Sequence, residues 1–146
     1  MTKKQNATRK DEKMSTKVKL TGLWTALMLL YIYADIFSFY RPGHIAAACA
    51  GFMGPLAVSQ MTLAASGVLM LIPVLVMIAG LFWKAGPLRL LNMVFGVLYA
   101  AVGVGNLIGE TWAYYLVYGV IEILIAILIA ATAFKWPSNN KGEKNE

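Results

Sequence analysis

Three acids stand in or beside long apolar runs of this chain: Asp35, Glu110 and Glu122. A carboxylate inside a membrane span costs roughly 2.5–3.5 kcal/mol on insertion scales, so its presence points to proton or ligand handling. Tyr31 precedes Asp35 by four residues and Tyr118 precedes Glu122 by four, the spacing at which helical side chains meet. Tyr33, Tyr40, Tyr114 and Tyr115 lie near the same two acids, and Asn106 closes the third apolar run. Arg41, His44 and Glu110 fall at the segment ends and would rim an opening. This set makes a small pocket with apolar walls, phenols and two carboxylates, with Asp35, Glu122, Tyr31, Tyr118, Tyr115, Asn106 and Arg41 as the ligand-binding candidates. The chemistry it offers is binding of a proton or a small ligand. No catalytic set is recognisable: there is no Ser-His-Asp arrangement and no phosphate loop. A lone histidine, His44, and a lone cysteine, Cys49, give no basis for a metal site, and no cofactor is expected.

Plainer readings stand beside these. Tyrosines near helix ends serve as belt residues at the headgroups. Asp35 has a structural alternative in Arg41, six residues on, as an ion-pair partner at the helix end. Glu122 has no such partner, because no Lys or Arg within an apolar run is placed to neutralise it. A protonated Glu122 bonded to Tyr118 or to a backbone carbonyl is the structural alternative there, since burial favours the neutral acid. Asn92 reads as glue between helices, and Cys49 as a small apolar residue.

The elements that must position these residues follow from composition. The 146 residues are 59% hydrophobic and 14% charged, with mean hydropathy +0.64. A soluble domain is nearer half apolar and a quarter charged, so lipid is part of this chain's solvent. Four runs are about the ~20 residues that a spanning helix needs, over 20–40, 61–83, 88–108 and 112–136. The first has no signal-peptide cleavage motif and reads as an uncleaved span. Between the first two, residues 41–60 are apolar but broken by Pro42, Gly43, Gly51, Gly54 and Pro55, and we expect a short interfacial helix over 45–50. Pro73 should bend the second span, tolerated where a neighbour satisfies the freed carbonyl. Pro87 suits the first position of the third helix. Ala101, Gly105 and Gly109 recur every four residues, Gly96 and Gly103 make the same helix more broadly smooth, and this helix is expected to form the tightest seam. The fold class expected is all-α: a polytopic, up-down bundle of four transmembrane helices, with residues 1–19 and 137–146 as polar tails, the first flexible by composition.

Orientation follows from the basic residues. The side holding both tails and the 84–89 turn carries twelve of them, against Arg41 alone on the other. The positive-inside rule then puts both termini in the cytoplasm. The formal charge of +6 therefore reads as topology and not as a nucleic-acid surface. Trp24, Trp83, Trp112 and Trp136 lie close to the expected helix ends, as belt residues would.

The Tyr33-Ala34-Asp35 run followed by Pro42-Gly43, on the first of four short-looped spans, resembles a family of small uncharacterised bacterial four-helix membrane proteins. A more distant likeness is to the DoxX-like membrane proteins, which share the size and the four-span layout. The resemblance implies a prokaryotic plasma (inner) membrane protein and brings no established activity. The DoxX-like likeness would imply a redox or quinone-linked partner, but no residue here matches a cofactor signature. Three functions are weighed in order: binding or transport of a small ligand or proton at an outward-facing pocket, with a homo-oligomer needed for transport; an accessory subunit whose small-residue face and basic tail dock a larger membrane complex or anionic lipid; and an intramembrane enzyme using Glu122 and Asp35 as acid and base. The last lacks an identifiable nucleophile.

Overall fold

The computed structural model describes residues 14–137, so the tail readings for 1–13 and 138–146 lie outside the described residues. Four helices of 22 or 23 residues, each apolar enough to cross a membrane, carry the chain: α1 (Thr16–Ser38), α3 (Gln60–Phe82), α4 (Ala85–Leu107) and α5 (Ala113–Phe134). The protein is a multi-pass membrane protein of all-α class. Between α1 and α3 lie the short helix α2 (His44–Cys49) and a hairpin of β1 (Phe52–Met53) and β2 (Leu56–Ala57). The helix in this connection was expected and starts at His44. The hairpin was not expected, because strands of two residues carry no periodicity. Its loop is Gly54-Pro55, with Gly54 at φ +58, a conformation that favours glycine. Phe52 pairs with Ala57 and Met53 with Leu56.

Helix α1 begins four residues before the apolar run. Ser15 caps it by accepting from the Val18 N–H, and Lys17 reaches across to donate to the Trp83 carbonyl at 2.8 Å. Arg89 does the same for α5, donating to the carbonyls of Ala133 and Phe134 at 3.1 and 3.0 Å. At this end of the molecule the basic side chains thus satisfy the terminal carbonyls of α3 and α5, where a helix dipole favours cations. Pro87 sits in the first turn of α4, two residues later than expected, where its missing N–H still has no intrahelical use.

Helix α5 packs most closely on α4 and then on α1, while α3 rests more lightly against α1 and α4. The α4–α5 seam is at Gly96 and Gly103, and not at the stripe of Ala101, Gly105 and Gly109. A Cβ on Gly96 would stand 2.8 Å from the Ala130 backbone nitrogen and 3.1 Å from the Ala126 carbonyl oxygen. A Cβ on Gly105 would meet nothing within 4 Å. Helix α4 turns Leu88, Asn92, Gly96, Tyr99 and Gly103 inward, and the Gly105 stripe lies on the exposed side.

The core joins Leu20, Trp24 and Leu27 of α1 to Val76 of α3, Tyr99 of α4, and Ala126 and Ile129 of α5. Trp24 is a core residue and not a belt residue. It is 1% exposed and donates its indole N–H to Asn92 Oδ1 at 2.8 Å, while Asn92 Nδ2 donates to the Leu88 carbonyl at 2.7 Å. Asn92 therefore binds α1 to α4, as read from the sequence. Tyr99 donates its hydroxyl to the Leu69 carbonyl. Residue 69 is four before Pro73, so this is the carbonyl that a helical N–H at 73 would otherwise occupy. The neighbour that tolerates the proline is Tyr99.

Candidate functional site

The candidate residues gather at the end of the molecule opposite the termini, where the last turn of α1 meets the first turns of α5. Arg41 leaves α1 through a tight turn and crosses to α5. Its Nη1 pairs with Glu110 Oε2 at 2.9 Å and its Nε donates to the Tyr114 hydroxyl at 2.7 Å. Ser38 donates to the Ala34 carbonyl at 2.9 Å, so the Tyr114 hydroxyl, 2.9 Å from Ser38 Oγ, donates to it in turn. The result is a directed chain from Arg41 through Tyr114 and Ser38 to the α1 backbone, in which each bond polarises the next. Glu110 also accepts from the N–H groups of Thr111 and Trp112, at 2.8 and 2.9 Å, holding a negative charge at the start of α5 where the dipole favours it.

Arg41 does not pair with Asp35, the structural alternative that the sequence allowed; Glu110 reaches it first. The guanidinium lies 4.9 to 5.3 Å from the ring centroids of Tyr115, Tyr114 and Trp112, within cation–π range. Burial works against the charge on Arg41, but the hydrogen bonds to Glu110 and Tyr114 outweigh it and raise its pKa above the ordinary value. Burial alone would lift the Glu110 carboxyl. The Trp112 N–H, the Arg41 side chain and the Thr111 N–H together hold it below the usual carboxylate range.

Deeper in, Glu122 faces the interior. It is 6% exposed and its Oε1 is buried without a hydrogen-bond partner. The Tyr31 hydroxyl is likewise buried and unpartnered, on a residue 9% exposed. The two do not bond to each other. Glu122 also lies within electrostatic reach of Asp35, and Tyr115 within reach of both acids. Asp35 itself is exposed. Tyr31 packs its ring 6.4 Å from Tyr99, which joins this polar group to the core.

Two candidates stand apart from this group. Asn106 is exposed in the last turn of α4 and takes no part in either polar group. Tyr118 turns to Phe37 and Tyr114, with ring centroids 6.2 and 6.5 Å away, and leaves Glu122 Oε1 unbonded. Ser38 is the member that the sequence did not single out, and Tyr114, named there only as a neighbour of the acids, proves central to the bonding. A serine in the last turn of a span, four residues after Ala34, was the available signal, since a hydroxyl at that spacing bonds its own helix.

Two hollows open at this end. One, of about 330 Å³, has almost wholly apolar walls: Phe37, Tyr40, Arg41, Trp112, Tyr114 and Tyr118. The other, of about 280 Å³, is more polar and runs between Arg41, Trp112 and the α2–hairpin segment, including His44 and Phe52. Arg41 and Trp112 form the wall common to both. Neither hollow is lined by Asp35 or Glu122.

No curated protein and no solved structure matches the chain. A family model described as "Family of unknown function (DUF6326)" matches residues 9–142, and with almost the whole chain inside that match, the protein belongs to this family of unknown function.

Proposed function

We propose that this is a prokaryotic inner-membrane protein, both termini cytoplasmic, that binds and exchanges a proton at Glu122 from the outer face. The observation that carries the reading is the Glu122 carboxyl itself: 6% exposed, with one oxygen unpartnered, while Arg41 is committed to Glu110. A buried carboxylate without a partner is expensive, and taking up a proton removes the charge. The two hollows are lined by other residues, which favours a proton, alone or with its water, over a larger solute at Glu122. Asp35, exposed and within electrostatic reach, is the relay to the outer water, and Tyr31 and Tyr115 are the hydroxyls beside the path. Below Glu122, Ala126 and Ile129 are fully buried one and two turns along α5 and close the way to the inner side.

The test is infrared titration of the purified protein in mild detergent, following the carbonyl band of a protonated carboxylic acid. A band that appears and disappears with pH, is lost in Glu122→Gln and is shifted in Asp35→Asn supports the reading. Superimposable titrations of parent and Glu122→Gln overturn it. Melting the same variants adds a second readout, since Glu122→Gln should be as stable as the parent or more so if the acid is kept at a folding cost.

A second reading, an accessory or self-associating subunit, draws on the exposed side of α4. Open space at Gly105 leaves room for a partner helix to approach. A defined oligomer or stoichiometric partner in mild detergent that Gly105→Leu abolishes would favour it.

A further inference from the structure

We propose that the paired hollows around Arg41 form a binding site for one glycerophospholipid, distinct from the proton site. The arrangement has the two-part character of an amphiphile. The hollow walled by Phe37, Tyr40, Tyr114 and Tyr118 is apolar and suited to an acyl chain, and the one beside His44 and Gly43 is more polar and suited to a head group. Arg41 and Trp112 stand between them, at the level where glycerol and phosphate join chain to head. The apolar hollow alone, about 330 Å³, is at the lower edge of the ~300–1,000 Å³ typical of ligand sites.

The guanidinium selects the head group. Its Nη1 is taken by Glu110 and its Nε by Tyr114, while Nη2 is buried with no partner. A buried donor left unpaired is costly, so an oxygen acceptor brought there is held. A free carboxylate binds arginine best through two nitrogens of the fork, and here Nη2 is the one nitrogen with no partner. A phosphate diester can accept from the N–H groups of Nη2 and turn its other oxygens to the polar hollow and to water. Access is from the Tyr40 side, where that ring is 82% exposed.

The experiment is native mass spectrometry of the full chain released from alkyl maltoside micelles containing phosphatidylglycerol. We expect one phospholipid retained per chain, saturably. Phe37→Ala removes an aromatic wall from a residue already 46% exposed, so folding is kept. Retention should fall about two- to twelvefold, as an aromatic contact of ~0.5–1.5 kcal/mol implies. Arg41→Lys keeps the charge but loses the free Nη2 and should weaken retention as well. A fatty acid of the same chain length should not compete. Retention unchanged in both variants means unspecific annular lipid and overturns the proposal. Equal displacement by the fatty acid overturns the phosphate assignment, and failure to saturate overturns the site. Glu122→Gln should leave retention unaltered, so the lipid site and the proton reading stand or fall separately.

Discussion

Replacing Tyr99 by Phe removes one hydroxyl from the interior and leaves the ring in place. That hydroxyl donates to the Leu69 carbonyl, which has no helical partner because residue 73 is proline. The edge contact of the Tyr99 ring with Trp24, centroids 5.4 Å apart, does not depend on the oxygen. The loss therefore isolates one hydrogen bond. An unpaired buried carbonyl costs about 1–3 kcal/mol in general. Hydrogen bonds between membrane helices average nearer ~0.6 and reach ~1.7 kcal/mol, since the unfolded chain in lipid also finds partners. We expect about 1–2 kcal/mol, because Tyr99 is 1% exposed and its hydroxyl donates to the Leu69 carbonyl. Equilibrium unfolding in mixed micelles with increasing denaturing detergent reads this directly, as a fivefold to thirtyfold change in the folded ratio.

The decisive arm repeats the substitution in a Pro73→Ala background. The substituted alanine restores a backbone N–H that bonds to the Leu69 carbonyl in the ordinary helical way, so the tyrosine hydroxyl becomes redundant. Tyr99→Phe should then cost close to nothing, and the coupling across the cycle should be about 1 kcal/mol. Equal losses in the proline and alanine backgrounds would refute the assignment of Tyr99 as the proline's compensating donor.

Three further outcomes follow from the same structure. The Glu110 carboxyl has its folded pKa below the ordinary, unfolded value. Its stabilisation is thus complete above about pH 4.5 and is lost as pH falls through the depressed folded value. Melting curves of parent minus Glu110→Gln should show that acid limb, and a pH-independent difference would contradict it. Gly96→Ala should destabilise by about 1–3 kcal/mol, because the atoms in its way are backbone atoms of Ala130 and Ala126, while Gly105→Ala should be neutral or slightly stabilising in the same unfolding assay. Asn92→Ala strips the acceptor from the buried Trp24 indole and should cost about 1–3 kcal/mol, with a shift in tryptophan emission that Trp83, exposed at the helix end, does not share.

The four long helices were legible because lipid demands ~20 apolar residues for each crossing, and every expected span contains or overlaps one observed helix. Helix faces were harder to read for the same reason. Lipid is as apolar as the core, so exposed Leu, Ile and Val on α3 and α5 carry no mark that distinguishes them from buried ones. The small-residue repeat at 101, 105 and 109 was therefore a poor guide, since a glycine can face a helix or a lipid chain equally well.

Polar groups are better guides, because a hydrogen-bonding side chain in a span has no partner in lipid. Asn92 and Tyr99 on α4 lie seven residues apart, and the face they define contains Gly96 and Gly103, the true seam. Trp24, Tyr31 and Ser38 on α1 follow the same seven-residue spacing, and all three are buried. Glu122 obeys the rule on α5, aligned with Gly119 and Ala126 on the buried face. Asp35 breaks it, one position beyond buried Ala34 and outside the inward stripe. The two acids were paired in the sequence by their depth, but their faces differ. In the proposed exchange that difference divides the labour: an exposed carboxylate that meets the outer water, and a buried one with an oxygen still to be bonded.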